Sequence, residues 1–257
     1  MSYGFTEAYS RNAQWISSYP VARFVHSGIA VLMMNWAGIG SKKMGRFTKS
    51  KRALESAVSL YGNAIAAVTK EGVDVSRAMV MGWSFGGLFA AHAIQVLPNF
   101  VAAQVGDPAD YNVTAFGLGD DYWRNQSRMV LGGPPSGRFL RHYQFFDPVG
   151  DGNAATGPIL LEFVSRNPDV GQLLEEWRAA GADVEAFAYR RSVHWLNVPA
   201  EARMSRLRNL YWAKLNLLGP DAVTARQLRR VGLTIPLHGW WNGKKRRMIA
   251  GPSVAAR

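Results

Sequence analysis

The chain has 257 residues, 48% apolar and 19% charged, which gives one α/β domain a substantial core and excludes a fibrous or disordered class. It contains no cysteine, so a disulfide framework, a thiolate nucleophile and a Cys-ligated metal are all excluded. The net charge of +12 is concentrated at the C-terminus: from Pro220 onward eight basic residues face only Asp221, and the rest of the chain is mildly basic.

In chain order, the first residues carry no basic stretch followed by an apolar one, so no signal peptide is expected and a cytoplasmic location is. Residues 29–34 form a short apolar run that predicts a buried strand and is far too short to span a membrane. Leu54, Ala57, Val58, Tyr61, Ile65 and Val68 recur at helical spacing and predict a helix over 51–70. A strand is predicted over 78–82, an apolar helix over 88–97 stopped by Pro98, and a strand over 101–105. Between 108 and 157 the periodicity is lost in a stretch rich in Gly, Pro, Asp and aromatics, with one helix predicted over 121–131. Such an insertion, after the carboxyl end of a strand, is where α/β folds place substrate-facing segments. A strand follows over 159–164, then a helix over 170–180 ending at Gly181, a strand over 184–189 and a last helix over 200–218. Short apolar runs alternating with amphipathic stretches predict an α/β fold with a mostly parallel sheet flanked by helices. The division expected is a catalytic domain over 1–219 and a basic tail over 220–257. The cluster Lys244, Lys245, Arg246 and Arg247 is expected to be solvated, since no nucleic-acid-binding motif accompanies it.

Gly82-Trp83-Ser84-Phe85-Gly86-Gly87 lies between the strand ending at Met81 and the helix near Leu88. This is the G-x-S-x-G pattern in a strand–turn–helix setting, the nucleophile elbow of an α/β-hydrolase. Glycines flanking the serine let the backbone turn sharply without Cβ clashes, and the Phe85 amide at the helix start can stabilise an oxyanion. The bland alternative is a Gly-rich turn whose serine only caps the helix. The general base should follow the last strand, and His194 does; His26, His92, His142 and His238 are worse placed. The orienting acid is sought after the strand 159–164, where Asp169 is the carboxylate of the loop, or else a first-turn acid of the next helix. Glu162, Asp147 and Asp151 are poorer candidates.

The elbow, the run from Gly157 to Leu161, and Tyr189 through His194 together resemble the catalytic domain of prolyl oligopeptidase-type serine peptidases. A narrower resemblance, to the lasso peptide isopeptidases of that family, rests on Tyr3-Gly4-Phe5, Tyr19-Pro20-Val21, the run from Gly28 to Leu32, and Arg208-Asn209-Leu210-Tyr211-Trp212. It covers about residues 3–230. It implies that Ser84 is the nucleophile, His194 the base and Tyr3 a further oxyanion-hole residue, and it places the family acid near Arg166 or Asn167 rather than on Asp169. It also implies a strand between those at Ile29 and Ala78 that this sequence does not supply, so Ile29 is expected to lack its neighbour, through truncation or because another segment fills the gap.

The function these residues predict is a serine hydrolase, a peptidase cleaving peptide or isopeptide bonds through an acyl-enzyme. A small-molecule esterase and a truncated, non-catalytic binding remnant are the alternatives. The partner expected is a peptide substrate, with neither membrane nor nucleic acid, and no phosphate- or dinucleotide-binding motif or metal-ligand cluster calls for a cofactor.

Overall fold

The computed structural model describes residues 19–34, 51–108, 112–147, 155–164 and 168–234. Four strands, β1 (Ala78–Trp83), β2 (Phe100–Gly106), β3 (Ile159–Val164) and β4 (Val184–Tyr189), form a parallel sheet in the order β1-β2-β3-β4. Helices connect them: α1 (Val21–His26) and α2 (Lys51–Lys70) precede β1, and α3 (Phe85–Val96) joins β1 to β2. The insertion carries α4 (Val113–Leu118), α5 (Asp121–Leu131) and α6 (Leu140–Phe146). The chain then runs through β3, α7 (Pro168–Ala179), β4, α8 (Pro199–Ala213) and α9 (Ala225–Val231).

Parallel strands are covered on both faces, and their side chains sort accordingly. Val80, Ala103, Val105, Ile159 and Leu161 pack with Leu88, Phe89, Ile94, Val130, Tyr143, Leu173 and Trp177 on one face. Leu160 packs on the other with Tyr19, Phe24, Leu207, Trp212, Leu228 and Val231. The aromatics of the insertion therefore divide: Tyr143 and Phe146 are core residues, whereas Tyr122 is exposed. Caps set the helix limits. Asn112 and Asp120 accept hydrogen bonds from the Ala115 and Trp123 amides at the starts of α4 and α5, and Gly132 closes α5 in the left-handed conformation.

Two expectations are corrected. Residues 29–34 form no strand; they run as an unladdered segment whose burial alternates from buried Ile29 through exposed Ala30 and Leu32 to buried Met34. The hydrophobic pattern fits a strand, but among the described residues no strand lies beside it to supply the ladder. Among those residues β1 is the sheet edge, and an apolar cavity of about 440 Å³ separates it from this segment, lined by Ile29, Val31, Met34, Tyr61, Met79 and Met81. The helix expected over 200–218 is present, as α8 to Ala213 and then a π-helical turn, Lys214–Leu218. Second, the beginning of the basic segment is part of the fold. Thr224 and Gln227 form a capping box at α9, and Val223, Leu228, Val231 and Leu233 are buried. The cluster from Lys244 to Arg247 lies outside the described residues. Among the described residues no helix is long and apolar enough to cross a membrane.

Candidate active site

Ser84 stands between the last residue of β1 and the first of α3, at φ 58° and ψ −124°. A non-glycine residue there carries strain of roughly 1–3 kcal/mol, which the surrounding packing must hold. The glycines explain how the turn closes. A Cβ on Gly82 would lie 1.9 Å from the Gly86 carbonyl oxygen, and one on Gly87 would lie 2.8 Å from that of Gly106. Neither position admits any other residue without moving backbone. The serine makes no side-chain cap bond to α3, which removes the capping alternative. Its amide instead donates to the Gly106 carbonyl at 2.8 Å, tying the elbow to the end of β2. Phe85 opens α3, the helix end at which backbone N–H groups project.

His194 belongs to the loop after β4. Trp83, the residue before the serine, donates its indole N–H to the His194 carbonyl at 2.8 Å, and the two rings lie 6.1 Å apart. The loop is braced on both sides of the histidine. Glu201 accepts from the amides of Arg191 at 3.1 Å and Ser192 at 2.8 Å, and the Val193 amide donates to Asn197 Oδ1 at 3.0 Å. Burial works to raise the Glu201 pKa, but hydrogen bonds from the Ser192 side chain and the loop amides outweigh it and hold the carboxylate below its usual value.

The carboxylate at the histidine is Asp107. Its Oδ2 lies 2.5 Å from His194 Nδ1, with the Asp107 side chain only 2% exposed and the imidazole 36%. An ionised carboxylate has only acceptors, so this contact puts the proton on Nδ1 and leaves Nε2 as the basic nitrogen. Asp107 follows β2 and is fixed from β3: its amide donates to the Glu162 carbonyl at 2.6 Å, and its Oδ1 accepts from the Val164 amide at 3.2 Å. Its φ of 34° shows that the chain turns sharply to aim the carboxylate.

Asp169, expected as the acid, has its backbone in the first turn of α7, and its side chain lies outside the described residues, as does Tyr3. Asp169 follows the strand at Ile159, whereas Asp107 follows the strand before it. The signal for Asp107 was a carboxylate leaving the strand next to the elbow strand, in Val105-Gly106-Asp107-Pro108, and it keeps the Ser–Asp–His chain order.

Glu162, set aside as a candidate acid, serves a buried network below this site. Its carboxylate is fully buried and accepts from Tyr189, from Arg208 at 3.0 Å, Ser205 at 3.0 Å, Asn209 at 2.8 Å and Gln104 at 3.3 Å. The Arg208 guanidinium also lies 3.7 Å from the centre of the Phe187 ring. Burial, followed by the Glu162 charge, pushes the Tyr189 phenol well above its ordinary pKa, so it is a fixed donor.

With this geometry in view, the solved structures supply the comparison. The AtxE2 isopeptidase with Astexin3-dC4 bound superposes with a TM-score of 0.64 at 16% identity, over 84% of this chain and 36% of that one. A puromycin-hydrolyzing peptidase of Mycobacterium tuberculosis gives 0.53 at 20% identity, over 61% and 24%. The chain has an α/β-hydrolase fold. An acylaminoacyl peptidase in complex with Z-Gly-Gly-Phe-chloromethyl ketone matches similarly, with a TM-score of 0.52 at 16% identity, over 62% of this chain and 27% of its own. The chain is similar to peptidase and isopeptidase structures alike, and the likeness is one of fold. The chain spans only 24 to 36% of the length of these structures. No protein-family model matches it, and no curated protein is significantly similar in sequence.

Proposed function

We propose that this α/β-hydrolase domain is a serine hydrolase that cleaves peptide or isopeptide bonds through an acyl-enzyme. Ser84 Oγ attacks the carbonyl carbon while His194 Nε2 takes its proton; the tetrahedral oxyanion is met by the Phe85 amide at the start of α3. His194 then gives the proton to the departing amine, and water activated by the same nitrogen releases the acyl group. Asp107 keeps Nδ1 protonated and stabilises the imidazolium formed in each half-reaction. Asp107 takes the part expected of Asp169.

The observation that carries this reading is the Asp107–His194 contact beside a strained serine that caps nothing. The peptide preference is supported by the peptidases that share the fold, among them an isopeptidase with Astexin3-dC4 bound. A fluorophosphonate probe tests the chemistry directly. Labelling of the wild type that is lost in Ser84→Ala and His194→Ala is expected; no labelling of the folded wild type overturns the proposal. Peptide and ester panels then separate peptidase from esterase.

A further inference from the structure

His194 and Trp195 are the two central residues of a single turn, closed by a hydrogen bond of 2.8 Å from the Leu196 amide to the Val193 carbonyl. Central positions of such a turn project outward. One of the two is the candidate base. The other is a tryptophan 61% exposed, its ring edge-on to the imidazole with centroids 5.2 Å apart.

The turn is built to hold Trp195 outside. Leu196 adopts φ 48°, a left-handed conformation that costs a leucine strain. What offsets it is burial: Leu196 is 2% exposed and packs with Trp83, Val164, Tyr189 and Ala202. With Leu196 anchored inward and Val193 tied to Asn197, the indole between them stays at the surface, against the histidine.

We infer that Trp195 is the wall of the leaving-group subsite and selects substrates with a flat apolar or aromatic side chain on the departing half. This rests on the Ser84–His194 reading above. In the acylation step the C–N bond breaks as His194 returns to the amine the proton it took from Ser84. The departing nitrogen must therefore lie within hydrogen-bond reach of the imidazole, on the side away from the oxyanion amide of Phe85. A side chain carried by that amine lies beside the imidazole, where the indole offers its surface. Tryptophan suits this use, because it presents a large rigid apolar area at small entropic cost.

Amine partitioning isolates this subsite from acyl specificity. The full chain is acylated with p-nitrophenyl acetate in the presence of equal free-base concentrations of phenylalaninamide and glycinamide, and the two acetylated products are measured. By microscopic reversibility, the attacking amine occupies the leaving-group subsite. The wild type is expected to favour phenylalaninamide by about 10-fold, Trp195→Phe to keep most of that preference, and Trp195→Ala to lose it. The ratio of the two products is internal to each protein, so a merely structural role for Trp195 would lower both products together and leave their ratio unmoved. An unchanged product ratio in Trp195→Ala, or no preference in the wild type, overturns the subsite and leaves the Ser84 reading standing. A folded wild type that neither labels nor turns over the ester overturns both.

Discussion

Asp107 and His194, 87 positions apart in the chain, meet at 2.5 Å because each lies beyond the carboxyl end of a strand of one parallel sheet, Asp107 directly after β2 and His194 in the loop after β4. Parallel strands bring all their carboxyl ends to one side, so residues distant in sequence converge there without any local signal linking them. Asp107→Asn would keep the shape and exchange an acceptor for an amide, removing the bond that fixes the Nδ1 proton. Labelling by the fluorophosphonate probe should fall by about 10³- to 10⁴-fold, with the melting temperature little changed. Asp169→Asn should leave the labelling rate at the wild-type value, and the paired measurement assigns the acid.

The elbow has its own prediction. Gly82→Ala forces a Cβ into the Gly86 carbonyl, which belongs to the first turn of α3 and cannot withdraw without moving the serine. A stability loss of about 3 kcal/mol is expected in chemical denaturation, together with loss of labelling. Serine geometry and fold stability are one constraint here, so both readouts should fail in the same variant.

Beneath the site, the Glu162–Arg208 pair lies at side-chain exposures of 0% and 7%, so removing one partner strands a charge in the core. Glu162→Ala or Arg208→Ala should each cost about 3–5 kcal/mol by denaturant titration. The double variant Glu162→Leu with Arg208→Met should cost less than the two single losses added together. The network joins β3 and β4 to α8, so its loss should also loosen Asp107, whose amide hangs from the Glu162 carbonyl.

Glu201 makes the histidine loop sensitive to acid, and the sign follows from its lowered pKa. A carboxylate held below its unfolded-state value stabilises the fold fully above that unfolded value, and the contribution disappears as pH falls through the folded pKa. Thermal melts from pH 7 down to about pH 3 should therefore show a decline that includes this group. In Glu201→Gln that part of the decline should be missing, because the amide does not titrate and keeps at most one oxygen to accept from the Arg191 and Ser192 amides at any pH. A decline identical in wild type and variant would mean that Glu201 does not contribute.

What could be read from the sequence was what local pattern encodes. Ser84 announces itself because the glycines needed around it are adjacent in the chain, and His194 because it leaves a strongly apolar strand just before a helix. Asp107 was missed because nothing near it in sequence requires a carboxylate; its partners, Val164, Glu162 and His194, all lie on other elements. The unladdered segment 29–34 has the composition of a strand, but a strand is a relation between two segments, and composition describes only one. For α9 the error ran the other way: basic residues such as Arg226 and Arg229 obscured the apolar set of Val223, Leu228, Val231 and Leu233 that seats the helix.

Among the described residues, the strand that leads into Ser84 is laddered on one flank only, against β2, while the cavity occupies its other flank. Rigidity at Ser84 is thus delivered from β2 and α3, the sides that also hold Asp107 and the helix start, and not symmetrically. Those β1 amides that point toward the cavity should exchange with solvent through smaller, more frequent openings than the amides of β2 and β3, which are flanked by strands on both sides. Ser84, with its left-handed φ of 58°, stands at the end of a strand braced by one neighbour among the described residues, so fluctuations of that edge should reach Ser84 before they reach Asp107.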